Sequence, residues 1–170
     1  MSESFRRGIR IGLDVGSVRV GVARTDPDGI LAVPVATVKR STKQRDLAEI
    51  VAIVAEYEPL ELVVGLPIGL AGAHGPAVQA ATDYARDLRN ALAGNHIDLP
   101  IRLIDERMST MQATRQLQSA GRDARKGRNV IDQAAAVIIV QQAVDQERAT
   151  GLPPGVLLAA DDLMKTDKRD

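Results

Sequence analysis

Apolar residues change period several times along this chain, and each change marks an element. Residues 8–14 (GIRIGLD) and 19–25 (RVGVART) are β-branched and apolar runs parted by Gly16 and Ser17, the signature of a hairpin. A third strand is expected at 33–38 (VPVATV). From about Gln44 to Tyr57 the apolar positions Leu47, Ile50, Val51, Val54 and Ala55 follow helical spacing. ELVVGLP is almost continuously apolar, as suits a central strand covered on both faces. Gly65, Pro67, Gly69, Gly72 and Gly75 then predict a flexible loop, and Pro76 fits the first turn of a helix running to about Ala93. IRLIDE is the next strand.

Two helices close the pattern. Ser109 and Gln112 have capping-box spacing, which predicts a helix from Thr110 to about Ala120 ended by Gly121. The last helix is expected from about Val130 to Glu147, its AAAVIIV segment apolar all round and therefore buried on the sheet. Pro153 and Pro154 stop it. Residues 1–150 thus read as one domain and 151–170 as a flexible tail. The order β-β-β-α-β-α-β-α-α describes an α/β protein whose sheet opens antiparallel and continues with parallel crossovers.

Composition narrows the chemistry. The chain of 170 residues has no cysteine and two histidines, His74 and His96, which excludes thiolate sites and most zinc chemistry. No signal peptide or run of about 20 apolar residues is present, so the expectation is a soluble, cytoplasmic protein without a membrane partner. Lys and Arg balance Asp and Glu at 22 each, so overall charge does not drive nucleic-acid binding, although local patches exist. Lys39, Arg40, Lys43 and Arg45 form one, and Arg122, Arg125, Lys126 and Arg128 form another just before Asp132. Either reads equally well as solvated helix ends. Phe5, Tyr57 and Tyr84 are the only aromatics, too few for a base-stacking platform. Any nucleic acid would be held by phosphate and shape.

Three carboxylates stand where such a sheet would gather them. Asp14 ends the first strand, sharing a face with Gly12 and Arg10, and Gly16 lets the following turn approach a phosphate or metal closely. Asp105 and Glu106 end a later strand, at the carboxyl edge where open α/β sheets build sites. Only one of the two can face Asp14; the longer Glu106 is preferred and Asp105 stays open. Asp132 is expected in the first turn of the closing helix, with Asn129 as its cap, where the helix dipole favours an anion. Each alone has a bland explanation: an Asx-turn, an ion pair with Arg107, a helix start. Together they suit a hard cation, Mg²⁺ or Mn²⁺, because crowded carboxylates repel unless a cation sits among them. Ser109 and Thr110 read as caps rather than nucleophiles, since no histidine is placed to activate them.

GLDVGSVRVGVARTD, VVGLP, IDERMSTMQA and NVIDQAAAVIIVQ resemble, in order and spacing, the YqgF/RuvX family, whose members are named both as Holliday junction resolvase and as pre-16S rRNA nuclease. The resemblance spans roughly residues 8 to 148 and implies a ribonuclease H-like fold, with a mixed five-stranded sheet flanked by helices. It maps the family's acidic site onto Asp14, Glu106 and Asp132, and implies a metal-dependent nuclease acting on the 5′ region of precursor 16S rRNA in ribosome biogenesis. Where the family commonly has Asp-Gly after the GLP loop, this chain has Ala71-Gly72, an acid not assigned to the metal shell. Arg107 and Arg122, Arg125, Lys126 and Arg128 would grip flanking phosphates, with Arg19 a further candidate.

Three alternatives differ in what they require. A junction resolvase acting on branched DNA needs a dimer, whereas an rRNA nuclease can be a monomer or a homodimer. An actin-like ATPase or sugar kinase needs two such domains, and the length gives one. A non-catalytic ribosome-assembly factor would leave the carboxylates structural.

Overall fold

A computed structural model describes residues 5–68, 75–106 and 124–159, with side chains of the last helix described from residue 130 onward. The elements in order are β1 (Arg10–Val15), β2 (Arg19–Thr25), β3 (Ala32–Lys39), α1 (Arg45–Tyr57), β4 (Glu61–Leu66), α2 (Pro76–Gly94), β5 (Ile101–Asp105), α3 (Ala124–Thr150) and β6 (Val156–Leu157). They form one sheet in the order β3-β2-β1-β4-β5-β6. β1, β2 and β3 pair antiparallel, β4 runs parallel to both β1 and β5, and β6 returns antiparallel to β5. This is the mixed α/β, ribonuclease H-like arrangement expected, with one strand more.

The extra strand corrects the expectation of a tail from residue 151. Leu157 pairs with Arg102 and Val156 with Leu103, and Leu158 is buried in the core. The proline pair ends α3 as anticipated, but the chain turns back to cover an otherwise bare edge of β5. The expected helix over 110–120 and the Ala71-Gly72 site lie outside the described residues.

Strand alternation sends the two faces of the sheet to different partners. Ile11, Leu13, Val20, Val22, Leu62 and Val64 pack against α1 and α2, where Leu47, Ile50, Val54, Tyr84, Leu88 and Leu92 complete the larger core. The opposite face meets α3. Ala23 and Ala32 pack with Ala136 and Val140, while Val63 and Ile104 pack with Ile139 and Ala143. The AAAVIIV segment is not buried all round. A stripe of Ala135, Ala136, Ile139, Val140, Ala143 and Val144 is buried, whereas Val137 and Ile138 are half-buried.

That stripe can lie unusually low because the sheet beneath it carries glycine on three adjacent strands. A Cβ on Gly12 of β1 would stand 2.7 Å from Val140 Cβ and 2.9 Å from the Ala136 carbonyl oxygen; one on Gly21 of β2 would stand 2.0 Å from the Asp132 carbonyl oxygen. On Gly65 of β4 it would lie 2.5 Å from Ile139 Cδ1. Side chains would hold the helix off. Gln133 Nε2 donating to Thr37 Oγ1 at 3.0 Å, and the Ala32 amide donating to Gln141 Oε1 at 2.9 Å, fix the helix across β3.

The far end of α3 is tied by charge. Glu147, the last member of the buried stripe, accepts from Arg10 Nη2 at 2.9 Å and from the Arg6 amide at 2.9 Å. Arg6 and Arg102 both donate to the buried Glu61 of β4, at 3.0 and 2.9 Å. Removing one member of such a network strands a buried charge, so it fixes position more surely than it adds stability.

Gly21→Ala should therefore destabilise the protein by about 3 kcal/mol, since the new methyl meets helix backbone that cannot rotate away. Gly94→Ala, where nothing lies within 4 Å at the end of α2, should be neutral or mildly stabilising. Urea denaturation of the two variants checks the contrast.

Candidate active site

The carboxyl ends of β1, β4 and β5 open into a cleft of about 700 Å³. Asp14 and Glu106 both line it, with Gly16, Ser17, Arg40 and Pro67 among the rest of the wall. Asp14 is two residues beyond Gly12 and so lies on the α3 side of β1, opposite Gly21 in the β1–β2 register. Glu106 follows β5, its amide donating to the Leu66 carbonyl at 3.2 Å, and it is buried. Alternation separates it from Asp105. Ile104 packs on the α3 face and Leu103 on the other, so Glu106 shares a side with Ile104 and Asp105 with Leu103.

β4 separates the strands that carry these two acids, which sets their backbones roughly 10 Å apart across the sheet. Gly65 occupies the gap. A Cβ there would come within 2.4 Å of Glu106 Oε2, so the glutamate lies across space that any other residue would fill. Gly65 thus serves both the helix and the carboxylate.

Asp132 does not sit where expected. α3 begins at Ala124, about two turns earlier than Asn129 would cap it, because the Arg- and Lys-rich segment continues the helix rather than preceding it. The helix dipole therefore does not hold Asp132, its effect being confined to the first turn. Instead Arg19 Nε donates to Asp132 Oδ2 at 2.8 Å, linking the start of β2 to α3. Arg19 is thereby engaged with a carboxylate on the protein itself. Arg125, Lys126 and Arg128 fall in the first turns of α3, but their side chains, and all of Arg107 and Arg122, lie outside the described residues.

Electrostatics show that the acids are near enough to feel one another. The Asp14 carboxyl is pushed up from 3.8 to about 6, first by burial and then by the negative charge of Asp132. Both effects disfavour the ionised form, and among the described residues no cation offsets them at Asp14. Among the described residues, no group of three His, Asp or Glu side chains stands close enough to hold one metal ion. The donors nonetheless fit a hard divalent cation in kind: they are oxygen only, sheltered from solvent, and include a carboxyl that is short of positive charge.

One site feature is invisible in the local sequence. Arg40 belongs to a basic cluster legible as such, but no nearby signal places it in the wall beside Asp14. Only the packing of α1 and α2 does that.

Comparison with known proteins gives the family and the fold. Residues 8–146 match the RuvX family, described as "Holliday junction resolvase". A protein of Streptomyces coelicolor named "Putative pre-16S rRNA nuclease" is 49% identical over 151 residues, covering 89% of this chain and 88% of its own. A protein of the same name from Thermobifida fusca is 48% identical over 161 residues, covering 91% and 98%. Among solved structures, RuvC of T. thermophilus in complex with a Holliday junction substrate superposes with a TM-score of 0.56 at 14% identity, over 86% of this chain and 99% of that one. At that identity the likeness speaks for fold alone.

Because ionising Asp14 is harder in the folded chain than in the unfolded one, it opposes folding. The penalty is absent below pH 3.8 and complete above about 6. In chelator, Asp14→Asn should gain on the order of 2 kcal/mol above pH 6, a gain that fades as pH falls towards 4, as urea unfolding across pH would measure. Four sequence motifs, a ribonuclease H-like sheet and a match over most of its length assign this chain to the RuvX family.

Proposed function

We propose that this nuclease hydrolyses phosphodiester bonds near the 5′ end of precursor 16S rRNA, using Mg²⁺ or Mn²⁺. Asp14, Glu106 and Asp132 would be the carboxylate donors, drawn closer together than they stand in this structure. The observation that carries the reading is the meeting of Asp14 and Glu106 in one cleft, with the charge of Asp132 reaching Asp14. The names of the S. coelicolor and T. fusca relatives support the substrate.

A bound cation of this kind supplies a polarised water and neutralises charge on the leaving 3′ oxygen. The chain's own groups do the rest. Asp14 and Glu106 present oxygen donors from strand ends, which hold position better than loops. Arg19 orients Asp132 through its bond to Oδ2. The raised value leaves the Asp14 carboxyl protonated below about pH 6. There it would hold a cation only by releasing that proton, so cation binding should weaken as pH falls below 6. Gly65 leaves room for the Glu106 carboxylate over the sheet.

A second reading is favoured by the family's description and by the RuvC fold: resolution of a four-way DNA junction by a dimer. Symmetric nicking of such a junction by a species that sediments as a dimer would favour it over the rRNA reading.

With a structured precursor rRNA, cleavage should need Mn²⁺ or Mg²⁺ and stop in chelator. Asp14→Asn should lower the rate by at least ~100-fold, since even outer contacts to a metal site cost ~10–100-fold. Cleavage that survives this substitution, read on a sequencing gel, would show that the carboxylates are structural.

A further inference from the structure

The cleft has two chemically different walls. Asp14 and Glu106 supply its acidic part, and Arg40, Ser41 and Thr42, from the connection between β3 and α1, line the same cleft. Arg40 is held with unusual care for a side chain that is 33% exposed. Its guanidinium lies over the Tyr84 ring at 4.7 Å from the centroid, and Nη1 donates to the Gly16 carbonyl at 3.1 Å. Nε points towards the buried Asp46, whose Oδ2 is 3.9 Å away, too far for a hydrogen bond. That oxygen instead accepts from the Tyr84 hydroxyl at 3.0 Å. Among the described residues Nη2 makes no hydrogen bond.

We propose that Arg40 is a phosphate-binding residue of the cleft, gripping a backbone phosphate of the nucleic-acid strand next to the one cleaved, with Tyr84 and Asp46 as the positioning residues that hold it ready. The inference rests on the nuclease reading and deepens it. A planar guanidinium stacked on a ring keeps its fork in one plane, so binding a phosphate costs little further ordering. Tyr84 has a second duty. Its hydroxyl fixes Asp46, and Asp46 supplies the charge that keeps the guanidinium turned to the ring. Burial and that hydrogen bond both push the Tyr84 hydroxyl well above its ordinary value, so it stays a donor at all working pH. The bond to Gly16 joins the phosphate grip to the turn that follows Asp14.

A purely structural Arg40 would make the same internal contacts, and the two roles differ in what they do to binding. The probe is a fluorescein-labelled RNA hairpin with a single-stranded 5′ extension, titrated by anisotropy over a salt series with Asp14→Asn protein, which does not cut. Adding Arg40→Ala should weaken binding about tenfold and flatten the log–log salt slope by about 0.7–0.9, one phosphate contact. Lys43→Ala, an exposed neighbour outside the cleft lining, should leave both unchanged. Arg40→Lys should restore the slope but not the affinity. In the otherwise wild-type enzyme, Arg40→Ala should raise KM about tenfold with kcat within about twofold, and Tyr84→Phe should raise KM with the salt slope intact. Arg40→Gln serves if Arg40→Ala does not fold. If Arg40→Ala lowers the melting temperature but leaves affinity, slope and KM unchanged while the wild type cuts, Arg40 is only a structural tie and the inference fails alone. An equal loss in Lys43→Ala would also overturn it, by showing a diffuse charge effect. If the wild type neither binds nor cuts the hairpin in Mn²⁺, the inference falls together with the nuclease reading.

Discussion

The close approach of α3 to the sheet governs the rest of this structure. Helices usually keep their distance from a sheet because both surfaces carry side chains. Here Gly12, Gly21 and Gly65 remove them on three neighbouring strands, and Ala135, Ala136 and Ala143 thin the helix surface opposite. Two results follow from one constraint. Helix backbone at Asp132 touches β2, which brings that acid within electrostatic reach of Asp14, and the space over Gly65 admits the Glu106 carboxylate. Tight packing and the acidic site are therefore a single arrangement.

Two sheltered carboxylates, Glu147 of α3 and Asp14 of β1, behave in opposite ways. At Glu147 the carboxylate is almost fully buried and surrounded by Arg6 and Arg10, whose attraction and hydrogen bonds outweigh its desolvation, so its value is lowered. At Asp14 burial acts without such partners among the described residues, and Asp132 adds repulsion, so the value rises. Burial opposes ionisation in both places, and the presence or absence of cations decides the outcome. Arginines neutralise Glu147, whereas among the described residues no cation offsets the burial of Asp14. Stability is conceded at the site that would bind a cation, a common arrangement where function depends on an unfavourable environment.

The two walls of the cleft come from different parts of the fold. Asp14 and Glu106 are carried by strands, while Arg40 reaches the cleft through its stack on Tyr84 of α2 and its proximity to Asp46 of α1. The α1–α2 layer, which otherwise covers the apolar face of the sheet, thus contributes to the lining of the cleft.

Much of this was readable before any coordinates. Strands β1 to β5 and helices α1 and α2 follow from apolar periods, the turn at Gly16 and the proline at the start of α2, because these signals act over a few residues. The acids near the strand ends, Asp14 and Glu106, follow likewise, although alternation required only that one of Asp105 and Glu106 face Asp14, and it was side-chain length that favoured Glu106. The misjudged start of α3 has a local cause: Arg, Lys and Asn after Gly121 look like a cap and its approach, yet they sustain a helix as well as they precede one. β6 was missed because two residues carry no period, and their pairing depends on a free edge on β5. What the chain alone determined was which residues form elements and which acids end them, since backbone preference and side-chain alternation are local. What tertiary structure alone decided was distance: that Arg19 meets Asp132, that Glu106 lies over Gly65, and that Arg40 shares a cleft with Asp14. Those contacts join residues remote in the chain, and only the packing of helices on a sheet brings them together.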